Sequence, residues 1–261
     1  DKKLAKLTTA VIVDLKTNKI VEAHNPNLRL PIASVVKAVT AVYALALLGA
    51  KYQFTTKLYS VGPVVNGTIN GDLYLVGGGD PSLSLEGLIE LIYIMKDKGI
   101  KNITGKFIFD GGVLPELEYI DKNQLPQESF NPGLSGLNLN DNKIFFQWKK
   151  FKKKYQLFLG LKSSKYKVSS DYITINSSKN LGAVYDYEID SERQLENWLV
   201  LNSALNKNGS RWLPVRSTSN FVSSNFKKLC SFEGITLPPP VVGKFRSAES
   251  TLLAEKKSLP L

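Results

Sequence analysis

Ser34 and Lys37 stand three residues apart, and at that spacing on a helix a serine and a lysine share one face, a turn apart. The pair can bring a hydroxyl and an amine into hydrogen-bond reach. It opens the stretch SVVKAVTAVYALALLG, in which Lys37 is the one charged side chain from Val35 to Gly49. A helix apolar on all sides is expected to be buried, and burial disfavours the charged form of a lysine. A neutral amine so produced is a general base, so the chemistry expected is attack by the Ser34 hydroxyl with Lys37 taking its proton. No histidine is required, and the one histidine, His24, follows a strand-like segment.

The spacing by itself is unspecific. Ser-x-x-Lys recurs from Ser164 to Lys167 in the charged, strand-like KSSKYKV, and from Ser224 to Lys227 in VSSNFKKLC, where the lysine pair reads as a solvated helix face. Only Ser34 opens an apolar helix. Even there, an N-cap serine followed by a lysine that snorkels to solvent accounts for the pattern equally well.

A chain of 261 residues with 43% hydrophobic and 10% aromatic content can build one large domain or two to three small ones. The longest uncharged apolar stretch, Ala38 to Ala50, is shorter than the roughly 20 residues that cross a bilayer, so no transmembrane helix is expected. The sequence starts at Asp1 and contains one methionine, Met95, which implies that the natural start has been removed. One cysteine, Cys230, and one histidine rule out an internal disulfide, a thiol-rich metal site and the usual zinc hydrolases. Cys230 is expected in the core. Neither GxxxxGK[ST] nor GxGxxG occurs, so the usual nucleotide signatures are missing and no cofactor is expected.

The formal charge is +11, and eight lysines fall between Lys149 and Lys167 with no acid from Asn142 to Ser170. Apolar and basic residues partly alternate there, as on exposed strands. The run reads as the solvated face of a sheet, or as a surface attracted to an anionic membrane or wall polymer. A basic, aromatic-interleaved hairpin can also bind nucleic acid, but the rest of the sequence favours an anionic surface, and no nucleic acid is expected as a partner.

The elements that must hold the Ser34 helix come next. TTAVIVDLKTNKIVEAHN reads as a hairpin turning at Lys16 to Lys19, and the helix follows Pro31. From Lys57 come short strands with glycine turns, a helix from about Leu85 to Lys98, and a strand in NITGKFIFDGG. Residues 115–132 read as loop, 135–215 as strands, and Asn220 to Glu233 as a helix ending at Gly234 before the Pro238 to Pro240 break. The fold class expected is mixed α/β and β. The domains expected are 1–56 with 217–261, a small αβ insertion at 57–114, and a strand-rich insertion at 115–216. Asp80 in GGGDP reads as a turn former.

RLPIASVVKAVTAVYALALLGAKYQFTTKL, VNGTINGDLYLVGGGDPSLS, FNPGLSGLNLNDNKIFFQW and RWLPVRSTSNFVSSNFKKLCSFEGITLP, in that order, resemble the D-alanyl-D-alanine carboxypeptidase/endopeptidase family of low-molecular-mass penicillin-binding proteins, of the inserted-domain type. The resemblance implies a penicillin-binding-protein/β-lactamase-like transpeptidase domain carrying a large strand-rich insertion of one or two small domains. It implies that Ser34 is the acylated nucleophile and Lys37 its general base, with the Ser34 N–H in an oxyanion hole. Peptidoglycan stem peptides and β-lactams would be the partners, and the location periplasmic or otherwise extracytoplasmic.

The three signatures of the wider class are Ser-x-x-Lys, Ser-Asp-Asn and Lys-Thr-Gly, and here only the first has a clear match. Ser-x-Asn at Ser129, Ser178 and Ser223 falls in segments that match the family elsewhere, and no basic residue precedes Thr104-Gly105 or Ser135-Gly136. STLLAEKKSLPL resembles the family shortly before its second motif, so the transpeptidase domain is expected to be incomplete and activity doubtful. The alternative is a short form that binds peptidoglycan or a partner without turnover.

Overall fold

The computed structural model describes residues 2–152, 154–190, 195–246 and 248–261. It divides into two units, one running to Tyr52 with Leu261, the other from Gln53 to Pro260.

In the first unit a helical turn, α1 (Lys2–Ala5), precedes an antiparallel hairpin of β1 (Ala10–Asp14) and β2 (Lys19–His24). The Asp14 carboxylate accepts from the N–H groups of Lys16 at 2.8 Å and Thr17 at 3.3 Å. Those bonds hold its pKa below the ordinary aspartate value, the Lys16 bond most. Asn18 completes the turn at φ 55°, a left-handed conformation that asparagine tolerates. A 3-10 turn, Ala33–Val35, then leads into α2 (Val36–Leu48), which ends at Gly49 with φ 82°. Only glycine adopts that terminus without strain.

No residue of α2 is buried: Val39 is 66% and Val42 68% exposed. Among the described residues nothing supplies the cover that a buried helix needs. Apolarity on all sides states what a helix needs, not what covers it, and the unit offers only a two-stranded hairpin whose own Val11, Ile12 and Val21 are exposed.

The second unit is built on a five-stranded sheet in the order β16-β8-β6-β3-β17. Its members are β3 (Thr55–Val61), β6 (Asp72–Gly77), β8 (Phe107–Asp110), β16 (Pro240–Val242) and β17 (Ser250–Lys257). Strict alternation in β3 and β6 puts Leu58, Leu73 and Leu75 into the core. The helix α3 (Leu85–Asp97) packs along β17, and α4 (Thr218–Phe232) packs on β8, β16 and α3. Ser84 caps α3 by accepting the Gly87 N–H at 3.2 Å. Small strands β4 (Val64–Val65), β5 (Thr68–Ile69) and β7 (Asn102–Ile103) form a minor sheet.

A second sheet runs β11-β10-β9-β15, from β9 (Lys143–Phe151), β10 (Lys154–Lys162), β11 (Lys167–Ser169) and β15 (Gly209–Pro214). A third runs β12-β14-β13, from β12 (Ile173–Ser178), β13 (Tyr185–Asp190) and β14 (Leu195–Leu201), with β12 and β14 parallel. The mixed, strand-rich class is as expected.

The domain boundaries differ from those expected. The break falls after Tyr52, and residues 217–260 lie in the second unit, where β17 pairs antiparallel with β3 along its length. Nor do 57–114 and 115–216 separate, since one continuous core takes in Leu88, Phe107, Phe146 and Trp198. The β3–β17 pairing joins residues 189 to 202 positions apart, a relation that no local pattern encodes.

Candidate active site

Ser34 is the middle residue of the 3-10 turn, and Lys37 is the second residue of α2. The turn continues directly into the helix, so both side chains fall on one face, with Lys37 Nζ donating to Ser34 Oγ at 2.8 Å. Ser34 is not a helix cap: Ile32 precedes the turn and Val35 precedes α2, with no side-chain capping bond at either. The N-cap alternative therefore fails, and the Ser34 hydroxyl is committed to Lys37. Ala33, just before Ser34, has φ 41°, a left-handed conformation that costs a non-glycine residue about 1–3 kcal/mol. That strain lies at the point where the chain turns to present the hydroxyl.

The Ser34 N–H lies at the start of the helical run 33–48, where unpaired donors and the helix dipole favour a developing negative charge. The pair thus places a hydroxyl and an amine in contact at the start of a helical run. It is exposed, however, and so the desolvation expected around Lys37 is not supplied by the described residues. The other two Ser-x-x-Lys copies make no such pair: Lys167 lies over the Phe158 ring at 3.9 Å, and Lys227 lines a surface cleft on α4.

The segments that carry the family resemblance in the second unit meet at a packing node. The Gly79 N–H donates to Gly136 O at 2.9 Å and the Gly136 N–H to Gly111 O at 2.8 Å. A Cβ on Gly77 would stand 2.2 Å from Gly136 O, so GGGDP and NPGLSG touch backbone to backbone. Ser135 Oγ binds the Leu137 carbonyl at 2.7 Å and lies 2.7 Å from Thr218 Oγ1 and 2.9 Å from Ser219 Oγ. Asp80 accepts from the N–H and hydroxyl of Ser82, the turn role expected. These serines and glycines hold the fold together. The Ser-x-Asn occurrences at Ser129, Ser178 and Ser223 also lie in this unit.

Sequence reasoning missed two buried charged residues, Glu196 and Arg216. Glu196 on β14 is 0% exposed and accepts from the N–H groups of Arg216, at 3.1 Å, and Ser217, at 2.6 Å. Burial pushes its carboxyl up to about 7 against the pull of those two bonds. The Arg216 guanidinium donates to the carbonyls of Glu118, Asn131 and Pro126, fastening the long loop 111–139. The two residues are 20 positions apart, Glu196 between Leu195 and Asn197 and Arg216 between Val215 and Ser217, so only their burial marks them. Among the described residues no cluster of His, Cys, Asp or Glu could hold a metal ion, and Cys230 is buried as expected.

Over 100 residues the chain is 35% identical to the D-alanyl-D-alanine carboxypeptidase DacB of Haemophilus influenzae, covering 38% of this chain and 21% of that protein. Over 101 residues it is 35% identical to the D-alanyl-D-alanine carboxypeptidase of Actinomadura sp., covering 38% and 19%. The crystal structure of penicillin binding protein 4 (dacB) from Haemophilus influenzae superposes with a TM-score of 0.70 at 22% identity, covering 97% of this chain and 57% of that one. That likeness shows the fold, and the chain spans little more than half of the solved relative's length. A family model described as D-Ala-D-Ala carboxypeptidase 3 (S13) matches residues 1–261. The chain belongs to that D-Ala-D-Ala carboxypeptidase family.

Proposed function

We propose that the protein is a serine DD-peptidase acting on peptidoglycan stem peptides, as a carboxypeptidase or endopeptidase, through an acyl-enzyme on Ser34. The observation that carries this is the 2.8 Å contact between Lys37 Nζ and Ser34 Oγ, at the mouth of a helical run. Lys37 takes the hydroxyl proton as Oγ attacks the carbonyl between two terminal D-Ala residues, and passes it to the nitrogen of the last D-Ala as the peptide bond breaks and that residue leaves. The Ser34 N–H faces the oxyanion, and water then hydrolyses the ester. A β-lactam enters the same path as a substrate mimic and leaves a stable adduct. Such a substrate places the protein outside the cytoplasm, and no helix among the described residues is long and apolar enough to cross a membrane.

The test is labelling of the whole gene product with a fluorescent penicillin, followed by peptide mass spectrometry. An adduct on Ser34 that is lost in Ser34→Ala supports the proposal, and no adduct on the wild type overturns it. In a second reading the chain binds peptidoglycan or a partner without turnover. Binding to isolated peptidoglycan without acylation would select it.

A further inference from the structure

The sheet β11-β10-β9-β15 has two unlike faces. One buries Ile144, Phe146, Leu159, Leu161 and Val168 in the core. The opposite face carries the exposed Lys149, Lys154, Lys162 and Lys167, set by the pairings Phe151↔Lys154 and Lys162↔Lys167. No aspartate or glutamate occurs on any of the four strands, and no described carboxylate pairs with these four lysines.

Aromatic rings stand between the ammonium groups and are partly capped by them. Lys162 Nζ lies 4.3 Å from the Phe145 ring centroid, and Lys167 Nζ lies 3.9 Å from that of Phe158. Rings covered by their own lysines are not free to stack on bases or sugars. What the face presents outward is positive charge together with the Trp212 ring, which meets Phe145 edge-on and is 44% exposed.

At one end the face narrows. β15 pairs with β9 only as far as Gly209↔Trp148, and beyond that β9 and β10 continue as a two-stranded ribbon to Phe151↔Lys154. Phe151 at its end is 69% exposed, beside Lys150 and Lys152. The Phe151 ring, with Lys152 Nζ 5.7 Å from its centroid, gives the basic tip an apolar group that a headgroup–acyl boundary can receive.

We propose that this face docks on an anionic phospholipid bilayer, ribbon tip foremost, with the lysines at the lipid phosphates and the Phe151 ring at the headgroup–acyl boundary. Lysines carried on one sheet face can meet the phosphates of a headgroup layer together. Attraction is about 1 kcal/mol for each lysine near such a surface, and the ring supplies the apolar part that a soluble polyanion does not reward.

The test is co-sedimentation of the full chain with vesicles of phosphatidylcholine alone or with roughly a third phosphatidylglycerol, an anionic fraction that sets up the surface potential. The expected result is binding at least about tenfold tighter to the anionic vesicles, lost near 1 M salt, where the Debye length is about 3 Å. Lys162→Glu/Lys167→Glu should weaken it about tenfold or more, from the loss and reversal of two such charges. Phe151→Ser should weaken vesicle binding severalfold while leaving heparin and duplex DNA binding unchanged. Lys98→Glu/Lys122→Glu, which alters net charge equally away from the face, should have little effect. Equal binding to both vesicles, an equal loss in the Lys98/Lys122 variant, or vesicle binding indifferent to Phe151→Ser would each overturn the proposal. Melting temperatures equal to wild type confirm that the variants are folded.

Discussion

Lys37 Nζ lies 2.8 Å from Ser34 Oγ across the junction of a 3-10 turn and an α-helix. Neither side chain caps that helix, so removing the amine leaves the local fold without a lost bond of structural weight. Lys37→Ala should therefore retain the wild-type melting temperature while acylation by penicillin falls about 10²- to 10⁴-fold, the usual contribution of a positioned proton acceptor. Stopped-flow acylation with a fluorescent β-lactam checks this. A normal acylation rate in a folded variant removes Lys37 from the mechanism.

How much of this was legible in the sequence depends on the range of the interaction. The hairpin of β1 and β2, the helices α3 and α4, the Asp80 turn and the lysine-rich strands follow from alternation, helical spacing and turn chemistry, all of which act over a few residues. The contact of Ser34 with Lys37 follows from helical geometry alone. Three things could not be read locally: the β3–β17 pairing, the node where Gly77 meets Gly136, and the burial of Glu196 against the N–H groups of Arg216 and Ser217. The exposure of α2 is the converse case. Its composition called for a buried helix, and composition does not contain the neighbour that burial requires.

Glu196 makes stability depend on pH with an unusual sign. Its folded-state pKa, raised to about 7 by burial, lies above the ordinary value of 4.5. Below pH 4.5 both states hold the proton; between 4.5 and about 7 the folded state keeps a proton that the unfolded chain releases, so stability falls as pH rises through that window. The loss approaches roughly 3 kcal/mol, at about 1.4 kcal/mol for each pH unit. Glu196→Gln keeps an acceptor for the two N–H groups and removes the titration. Urea unfolding at pH 5 and pH 8 should show the variant losing less stability than wild type over that interval, and parallel losses would contradict the assignment.

Glu233 behaves in the opposite sense. It pairs with Lys96 at 2.7 Å and Lys165 at 2.5 Å and accepts from Tyr166 Oη. The hydrogen bonds from Lys165 and Lys96, in that order, hold its carboxyl down to about 2. A depressed carboxyl contributes stability that is present above pH 4.5 and lost as pH falls toward 2. Glu233→Gln should lower the melting temperature at pH 7, and thermal scans taken at successively lower pH should bring the two proteins together. A difference that stays constant down to pH 2.5 would place the effect in packing, not in charge.

The contact of Gly77 with Gly136 gives the sharpest structural test, because it asks whether the family-like segments of the second unit are there for packing. A methyl group at position 77 would stand 2.2 Å from Gly136 O, 2.6 Å from its carbonyl carbon and 2.6 Å from Leu137 Cγ. Two of those atoms are backbone, so relief requires the GGGDP and NPGLSG segments to part, breaking the Gly79 to Gly136 hydrogen bond of 2.9 Å. Overpacking of this kind costs about 1–3 kcal/mol. Gly182→Ala is the control, since a Cβ there meets nothing within 4 Å and should change stability little. Gly77→Ala should lose stability in urea titrations while still acylating at Ser34 under native conditions, because the clash lies in the second unit and the nucleophile in the first. Unchanged stability in Gly77→Ala would mean that the close approach of the two glycines is not a feature of the folded protein.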